Sequence, residues 1–158
     1  MKILTFDQSR CISCGACQVI CSLVKKGKIQ PSEARIHVSC AEGPDVLRVA
    51  VCQHCTEPVC VSACMRGIID KDSETGRVTR RYEDCFRCAA CKVMCPVGAI
   101  VLDHDVNAFL TCDLCGDDPV CAKICPTGAL CFQDLNEASA ALRTRYAQRA
   151  LGEWEAEG

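Results

Sequence analysis

Polar and apolar residues alternate from Lys2 to Phe6, the two-residue period of a half-buried strand. Two more strand-like runs follow an insertion from Lys25 to Pro31: Arg35–Cys40 and Leu47–Val51, with Gly43-Pro44 marking a turn between them. Gly67-Ile-Ile-Asp70 and Arg77-Val-Thr-Arg80 flank Ser73-Glu-Thr-Gly76 and read as a β-hairpin, with Gly76 supplying the positive φ of the turn. Pro96-Val-Gly-Ala and Pro126-Thr-Gly-Ala each lead into a short apolar strand, ending at Leu102 and Phe132. The glycines let the chain turn sharply and the prolines end a local helical turn. From residue 134 the pattern changes to Ala, Arg, Glu and Leu. Leu135, Ala138, Leu142, Tyr146 and Ala150 then share one face at helical spacing, which predicts an amphipathic helix over 134–158. Elements this short predict an α+β fold of low regular-structure content.

Cysteine fills the spaces between these elements. Of eighteen cysteines, sixteen fall into four quartets. Cys11, Cys14, Cys17 and Cys21 read C-x2-C-x2-C-x3-C, as do Cys85, Cys88, Cys91 and Cys95. Cys52, Cys55, Cys60 and Cys64 read C-x2-C-x4-C-x3-C, and Cys112, Cys115, Cys121 and Cys125 read C-x2-C-x5-C-x3-C. This is the cysteine spacing of bacterial ferredoxins, in which the fourth thiolate ligates the other cluster of a pair. Four quartets predict four [4Fe–4S] clusters, and clusters in series carry electrons. Three closely spaced cysteines wrap a loop around three iron corners, with backbone N–H groups pointing at sulfur. The fourth is expected to begin a helical turn that leads away to a second cluster.

Composition agrees with a metal-dependent fold. Seven aromatic residues in 158 make a thin core, and small folds commonly compensate with metal or disulfides. Cysteine is about 11% of the chain (18 of 158), the level of a disulfide scaffold in a secreted protein. Secretion has no support in Met1–Asp7, which lacks an apolar h-region, and no stretch nears the ~20 apolar residues of a membrane span. The expectation is a cytoplasmic chain that uses its cysteines for metal. Zinc is the rival metal, but its structural sites join two separated pairs rather than crowding four cysteines together. A formal net charge of −2 gives no footprint for nucleic acid, and thiolate ligation makes the loaded protein more acidic still.

On these quartets the chain resembles the four-cluster iron–sulfur electron-transfer subunits of molybdenum- or tungsten-bispterin oxidoreductases, together with their small relatives serving hydrogenases and carbon monoxide dehydrogenase. The resemblance covers residues 1–133. It implies two interleaved bacterial-type 2×[4Fe–4S] ferredoxin modules plus a C-terminal helix. One cluster would take Cys11, Cys14, Cys17 and Cys125, and its mate Cys112, Cys115, Cys121 and Cys21. Another would take Cys52, Cys55, Cys60 and Cys95, and its mate Cys85, Cys88, Cys91 and Cys64. The first module would then combine residues 1–44 with 105–133, the second would span 45–104, and 134–158 would form the helix. In size and layout the chain is also similar to the small ferredoxin-like subunit of bacterial tungsten aldehyde oxidoreductases.

The resemblance implies a large catalytic oxidoreductase subunit as partner, of molybdenum- or tungsten-pterin type, and a second redox partner. The cysteine-free tail is expected either to cap the ferredoxin core or, with Trp154 as an aromatic anchor, to contact that subunit or further copies of this chain. No membrane span and no nucleic acid belong to this reading. Two other readings stay open: a free-standing diffusible polyferredoxin, and an iron–sulfur assembly or maturation factor.

The remaining candidates take plainer readings. Cys40 and Cys131 are expected to be small buried hydrophobes. His54 is expected to be a solvent-facing spacer rather than a donor to a cluster sulfur, and His37 and His104 show no catalytic partner. Lys25, Lys26 and Lys28 read as a solvated loop. With no P-loop, no G-x-G-x-x-G and no open His-rich metal site, no catalytic residue is expected.

Overall fold

The computed structural model describes residues 2–40, 47–141, 143, 144 and 147, with Cys40 described in its backbone alone. Among these residues the strands form four two-stranded antiparallel ladders. Strand β1 (Lys2–Phe6) pairs with β8 (Leu130–Asp134) from Lys2↔Asp134 to Phe6↔Leu130, joining the strand before quartet one to the strand after quartet four. The β2 (Ile36–Cys40) and β3 (Leu47–Val51) runs pair as a hairpin. Next come β4 (Ile69–Lys71) with β5 (Val78–Arg80), and β6 (Val101–Asp103) with β7 (Ala108–Leu110). Gly76 has φ 72°, as the hairpin reading requires. The Gly43-Pro44 turn lies outside the described residues.

Each quartet carries one helix: α1 (Ala16–Lys26), α2 (Val59–Ser62), α3 (Ala90–Met94) and α4 (Val120–Lys123). The start of these helices differs from the expected one. Each begins one residue before the third cysteine, so third and fourth cysteines stand four apart along one helical turn. In three of the four quartets the fourth cysteine lies at or beyond the helix end instead of beginning it.

The chain folds back on itself, bringing α1 against α4 and α2 against α3. Two apolar clusters result. One gathers Leu4, Ile36, Val51, Leu114 and Leu130 with Cys112 and Cys121; the other gathers Ile68, Ile69, Val78, Ile100 and Phe109 with Cys91. Strand β3 packs in the first cluster and Phe109 of β7 in the second, so the two cores are stitched through their connecting strands.

The Lys25–Lys28 run is not a solvated loop. Lys25 and Lys26 close α1, and Gly27 caps the helix at φ 70°, donating its N–H to Leu23 O at 2.8 Å. Lys26 is buried among Glu33, Asp103 and Asp105, Lys25 pairs with Asp113, and Lys28 pairs with Asp105. Partners distant in sequence override the local reading of a charge run.

At the C-terminal end, residues 135–141 are helical, and Asp134 Oδ1 accepts the Asn136 N–H at 2.9 Å as an N-cap. Ala138 is buried and Leu135 is exposed. Leu142, Tyr146, Ala150 and Trp154 lie outside the described residues.

Candidate metal centres

The first two cysteines of every quartet bracket a residue of positive φ: Ser13 (55°), His54 (47°), Arg87 (59°) and Leu114 (56°). None is glycine, so the left-handed turn is imposed at a real conformational cost. Its effect is to point N–H groups inward. Leu114 N–H reaches Cys112 Sγ at 3.4 Å, and the His54 N–H serves Cys52 in the same way. The Pro-x-Gly-Ala segments repeat the device at the fourth cysteine. Gly98 and Gly128 turn the chain, their N–H groups bonding Cys95 O and Cys125 O, and Ala99 N–H then faces Cys95 Sγ at 3.4 Å. A Cβ on Gly128 would lie 2.9 Å from the Arg10 guanidinium packed over it, so only glycine fits there without displacing Arg10.

Three partly open cavities of similar size follow from these turns, and each is lined by four quartet cysteines. One is bounded by Cys11, Cys14, Cys17 and Cys125. One is bounded by Cys52, Cys55, Cys60 and Cys95, and one by Cys64, Cys85, Cys88 and Cys91. Their other walls are mainly apolar, such as Phe6, Val38 and Leu130 in the first. A fourth group consists of Cys21, Cys112, Cys115 and Cys121. The Cys112 and Cys121 thiols sit close enough to Cys21 to be raised by it, and Cys115 acts likewise on Cys21 and Cys121.

The electrostatics say what such pockets can hold. Burial pushes the thiols of Cys52 up to about 11 and of Cys112 and Cys121 up to about 12. Cys125 is the reverse case: burial pushes it up, but N–H groups from Leu130, Thr127 and Ala129 and the Thr127 hydroxyl bring it below the ordinary value. Four converging thiols in an apolar wall, faced by N–H donors, fit a polynuclear group that brings positive charge and offers sulfur as a hydrogen-bond acceptor. They do not fit a bare cavity ligand. The three cavities and the fourth thiol group fit [4Fe–4S] clusters held by cysteine.

His54 departs from the expected spacer. It is 4% exposed, and its Nδ1 accepts the buried Val78 N–H at 3.0 Å. Burial, and then the Arg77 charge, lowers its pKa. Accepting at Nδ1 places the ring proton on Nε2, a buried atom without a partner among the described residues. His37 sits in β2 with its pKa lowered by burial, and His104 is exposed. Cys131 is half-buried in β8 and donates to Gly128 O at 3.2 Å, apart from the four groups.

Lys71 and Arg80, which sequence reasoning did not single out, also reach the sites. Lys71 Nζ donates to the carbonyls of Cys55 and Thr56 at 2.6 and 2.8 Å, and Arg80 Nη1 lies 3.5 Å from Cys91 Sγ. The available signal was strand alternation: Val78 and Arg80, two apart on β5, share the inward face.

Among the described residues no helix is long and apolar enough to cross a membrane. Comparison with known proteins matches residues 46–135 to the 4Fe-4S dicluster domain family. The NADH-dependent phenylglyoxylate dehydrogenase subunit beta of Aromatoleum evansii is 30% identical over 154 residues, covering 96% of this chain and 32% of its own length. The chain thus spans about a third of that relative. The thiosulfate reductase electron transfer subunit of Salmonella typhi is 30% identical over 150 residues, covering 86% of this chain and 77% of itself. Among solved structures, a chain of the active-site complex BamBC of benzoyl coenzyme A reductase with zinc superposes with a TM-score of 0.50 at 25% identity, over 93% of this chain and 90% of that one. On the family match and the cysteine quartets, this chain belongs to the 4Fe-4S dicluster domain family.

Proposed function

We propose that this chain is the electron-transfer subunit of an oxidoreductase complex and connects a catalytic subunit to a second redox partner through four [4Fe–4S] clusters. It is not itself catalytic. The observation that carries the reading is the composition of the cavities: each takes three cysteines from one quartet and the fourth from another, Cys125 joining quartet one and Cys95 quartet two. Cys64 joins quartet three in the same way, and Cys21 stands with quartet four. These groupings support the ligand sets Cys11, Cys14, Cys17 and Cys125; Cys21, Cys112, Cys115 and Cys121; Cys52, Cys55, Cys60 and Cys95; and Cys64, Cys85, Cys88 and Cys91. They also support a reading as two interleaved modules, residues 1–44 with 105–133 and residues 45–104.

When bound, each cluster takes up and gives back one electron. The chain's own residues do the rest. Thiolates fix the four positions, apolar walls keep water out, and inward N–H groups offset the negative charge that accumulates on sulfur. Exposure marks the ends. Cys14 and Cys88 are the two exposed cysteines among those described, and each stands beside an exposed apolar side chain, Ile12 at 64% and Phe86 at 52%. Met65 and Val93 are also exposed apolar side chains, each at 80%. Unpaired apolar surface of this kind marks contact with other proteins. A catalytic subunit at one end and a second redox partner at the other use both surfaces. The relatives named as a dehydrogenase subunit and as a reductase electron-transfer subunit support the same role. A molybdenum- or tungsten-pterin catalytic subunit is the partner class we infer from the resemblance.

Cys125→Ser tests the assignment. Iron analysis and low-temperature electron paramagnetic resonance (EPR) of anaerobically purified protein should show damage to the cluster built on Cys11, Cys14 and Cys17. Damage confined to the cluster of Cys112, Cys115 and Cys121 refutes the interleaving. Copurification of a large cofactor-bearing chain separates a subunit from a free carrier.

A further inference from the structure

Arg80 projects from β5 into the space between two of the cysteine sites. Its Nε donates to Thr111 Oγ1 at 3.2 Å, its Nη1 faces Cys91 Sγ at 3.5 Å, and its Nη2 is buried without a partner among the described residues. Arg80 lines the Cys64–Cys85–Cys88–Cys91 cavity, while Thr111, which it grips, lines the Cys52–Cys55–Cys60–Cys95 cavity. The thiols of Cys52 and Cys60 both feel its charge.

The contrast with other arginines is informative. Arg35 is paired with Asp113, Arg77 with Asp117 and Arg81 with Asp70. Among the described residues no carboxylate pairs with Arg80. Its hydrogen-bond partners are the Thr111 hydroxyl and the Cys91 sulfur, and it lines the Cys64–Cys85–Cys88–Cys91 cavity. A guanidinium is charged at every working pH and presents its donors in a rigid fork, so a half-covered one without a counter-anion is a standing positive charge aimed at whatever fills those cavities.

We propose that Arg80 is a fixed cation shared by the two sites built from quartets two and three, favouring the reduced form of both. The inference rests on the cluster assignment above. One electron added to either site makes it more negative by one unit. Arg80 lowers the energy of that added charge through space and through donors aimed at sulfur, two recognised levers on cluster potential. At the Cys11–Cys14–Cys17–Cys125 site the neighbouring Arg10 differs: it is exposed, packs over Gly128 and does not line the cavity. The pair of sites next to Arg80 is therefore the easier pair to reduce by this contribution, which biases where an arriving electron rests.

The test is an anaerobic potentiometric titration with dithionite as electron donor, followed by EPR, on the intact chain and on Arg80→Gln and Arg80→Lys. Signals from the quartet-two and quartet-three sites are identified by their perturbation in Cys88→Ser and Cys55→Ser. In Arg80→Gln the reduced-to-oxidised ratio of those two sites, read at one fixed potential, should fall about tenfold, equivalent to about 59 mV for one electron. The other two sites should stay unchanged, and Arg80→Lys should retain most of the effect. No shift in Arg80→Gln, an equal shift at all four sites, or a Lys variant as shifted as the Gln variant overturns the proposal. If Arg80→Gln fails to load iron, full loading of Arg80→Lys supports the need for charge, and failure of both assigns Arg80 to packing and overturns it. Absence of iron from the unaltered chain is the failure of the cluster assignment, and iron analysis separates it from every outcome above.

Discussion

Replacing Lys26 with Met removes the buried cation from a site that holds three carboxylates, leaving the half-exposed Lys28 paired with Asp105 alone. Lys26 Nζ contacts Glu33, Asp103 Oδ1 at 2.8 Å and Asp105 Oδ2 at 3.0 Å, and its side chain is 2% exposed. The contact joins the end of α1, which carries the last two cysteines of quartet one, to β6, which follows quartet three. Removing one partner of a deeply buried ion pair costs about 3–5 kcal/mol. Here Asp105 is half exposed and admits water, and Asp103 keeps hydrogen bonds from the N–H groups of Asp105 and Val106. The cost of Lys26→Met is accordingly set lower, at about 2 kcal/mol, equivalent to about 30-fold in an equilibrium or rate constant.

The assay is anaerobic bleaching of the visible iron–sulfur absorbance in urea, because cluster loss reports global opening of the chain. If the ion network is broken in the transition state for unfolding, Lys26→Met bleaches about 30-fold faster than the unaltered protein. Lys25→Met, which loses an ion pair with the half-exposed Asp113, stays within a few-fold. The pH dependence has a definite sign. The hydrogen bond from Lys26 comes first among the causes that hold Glu33 and Asp105 below the usual carboxylate range, and it also overcomes the burial that pushes Asp103 up. Carboxylates depressed in this way contribute stability above their unfolded values near pH 4 and lose it as pH falls through the lower folded values. Burial pulls Lys26 down, but its three partners raise it overall, so its contribution holds below about pH 10 and fades only above. The ratio of bleaching rates should be flat from about pH 5 to 10 and shrink on acidification. Taking a ratio cancels the acid lability of the clusters themselves. A ratio within threefold at neutral pH, or one that grows as pH falls, refutes the reasoning.

Other perturbations are simpler to read. His54→Ala orphans the buried Val78 N–H and should cost about 1–3 kcal/mol, seen as faster hydrogen exchange at Val78 and a lower urea midpoint. His54→Asn, which restores an acceptor on a residue that tolerates positive φ, should recover part of the loss, and equal stability of all three proteins would count against the contact. Ala89 holds φ 62° at the start of α3, the position that Gly15 holds at 71° before α1. Ala89→Gly should therefore be tolerated, whereas Ala89→Val should cost about 1–2 kcal/mol in the same urea assay; a stable Val variant would mean that the turn is not imposed by the fold.

The features legible from sequence share one property: their causes lie within a few residues. Quartet spacing is a local rule about how a loop wraps a metal group, and the Ile69–Arg80 hairpin is set by Gly76 and its flanking strands. The strand at Lys2 likewise follows from alternation, and the one at Leu130 from the apolar run after Pro126-Thr-Gly-Ala. The misread features have distant causes. Lys26 looks solvated beside Lys25 and Lys28 because the residue it meets in β6, Asp103, lies 77 positions away. His54 looks like a spacer because the N–H that it accepts belongs to a strand 24 positions on. The left-handed turns at Ser13, His54, Arg87 and Leu114 leave no trace in composition, since the convergence of flanking cysteines dictates them and no glycine is needed to announce them. Arg80 falls between the two cases. Its distance from Cys91 is a tertiary fact, but its inward direction is local, because Val78 two residues earlier is core. A charged residue in phase with the buried face of a strand has to find a partner or carry a function, and in a chain this rich in thiolates the partner to look for is sulfur.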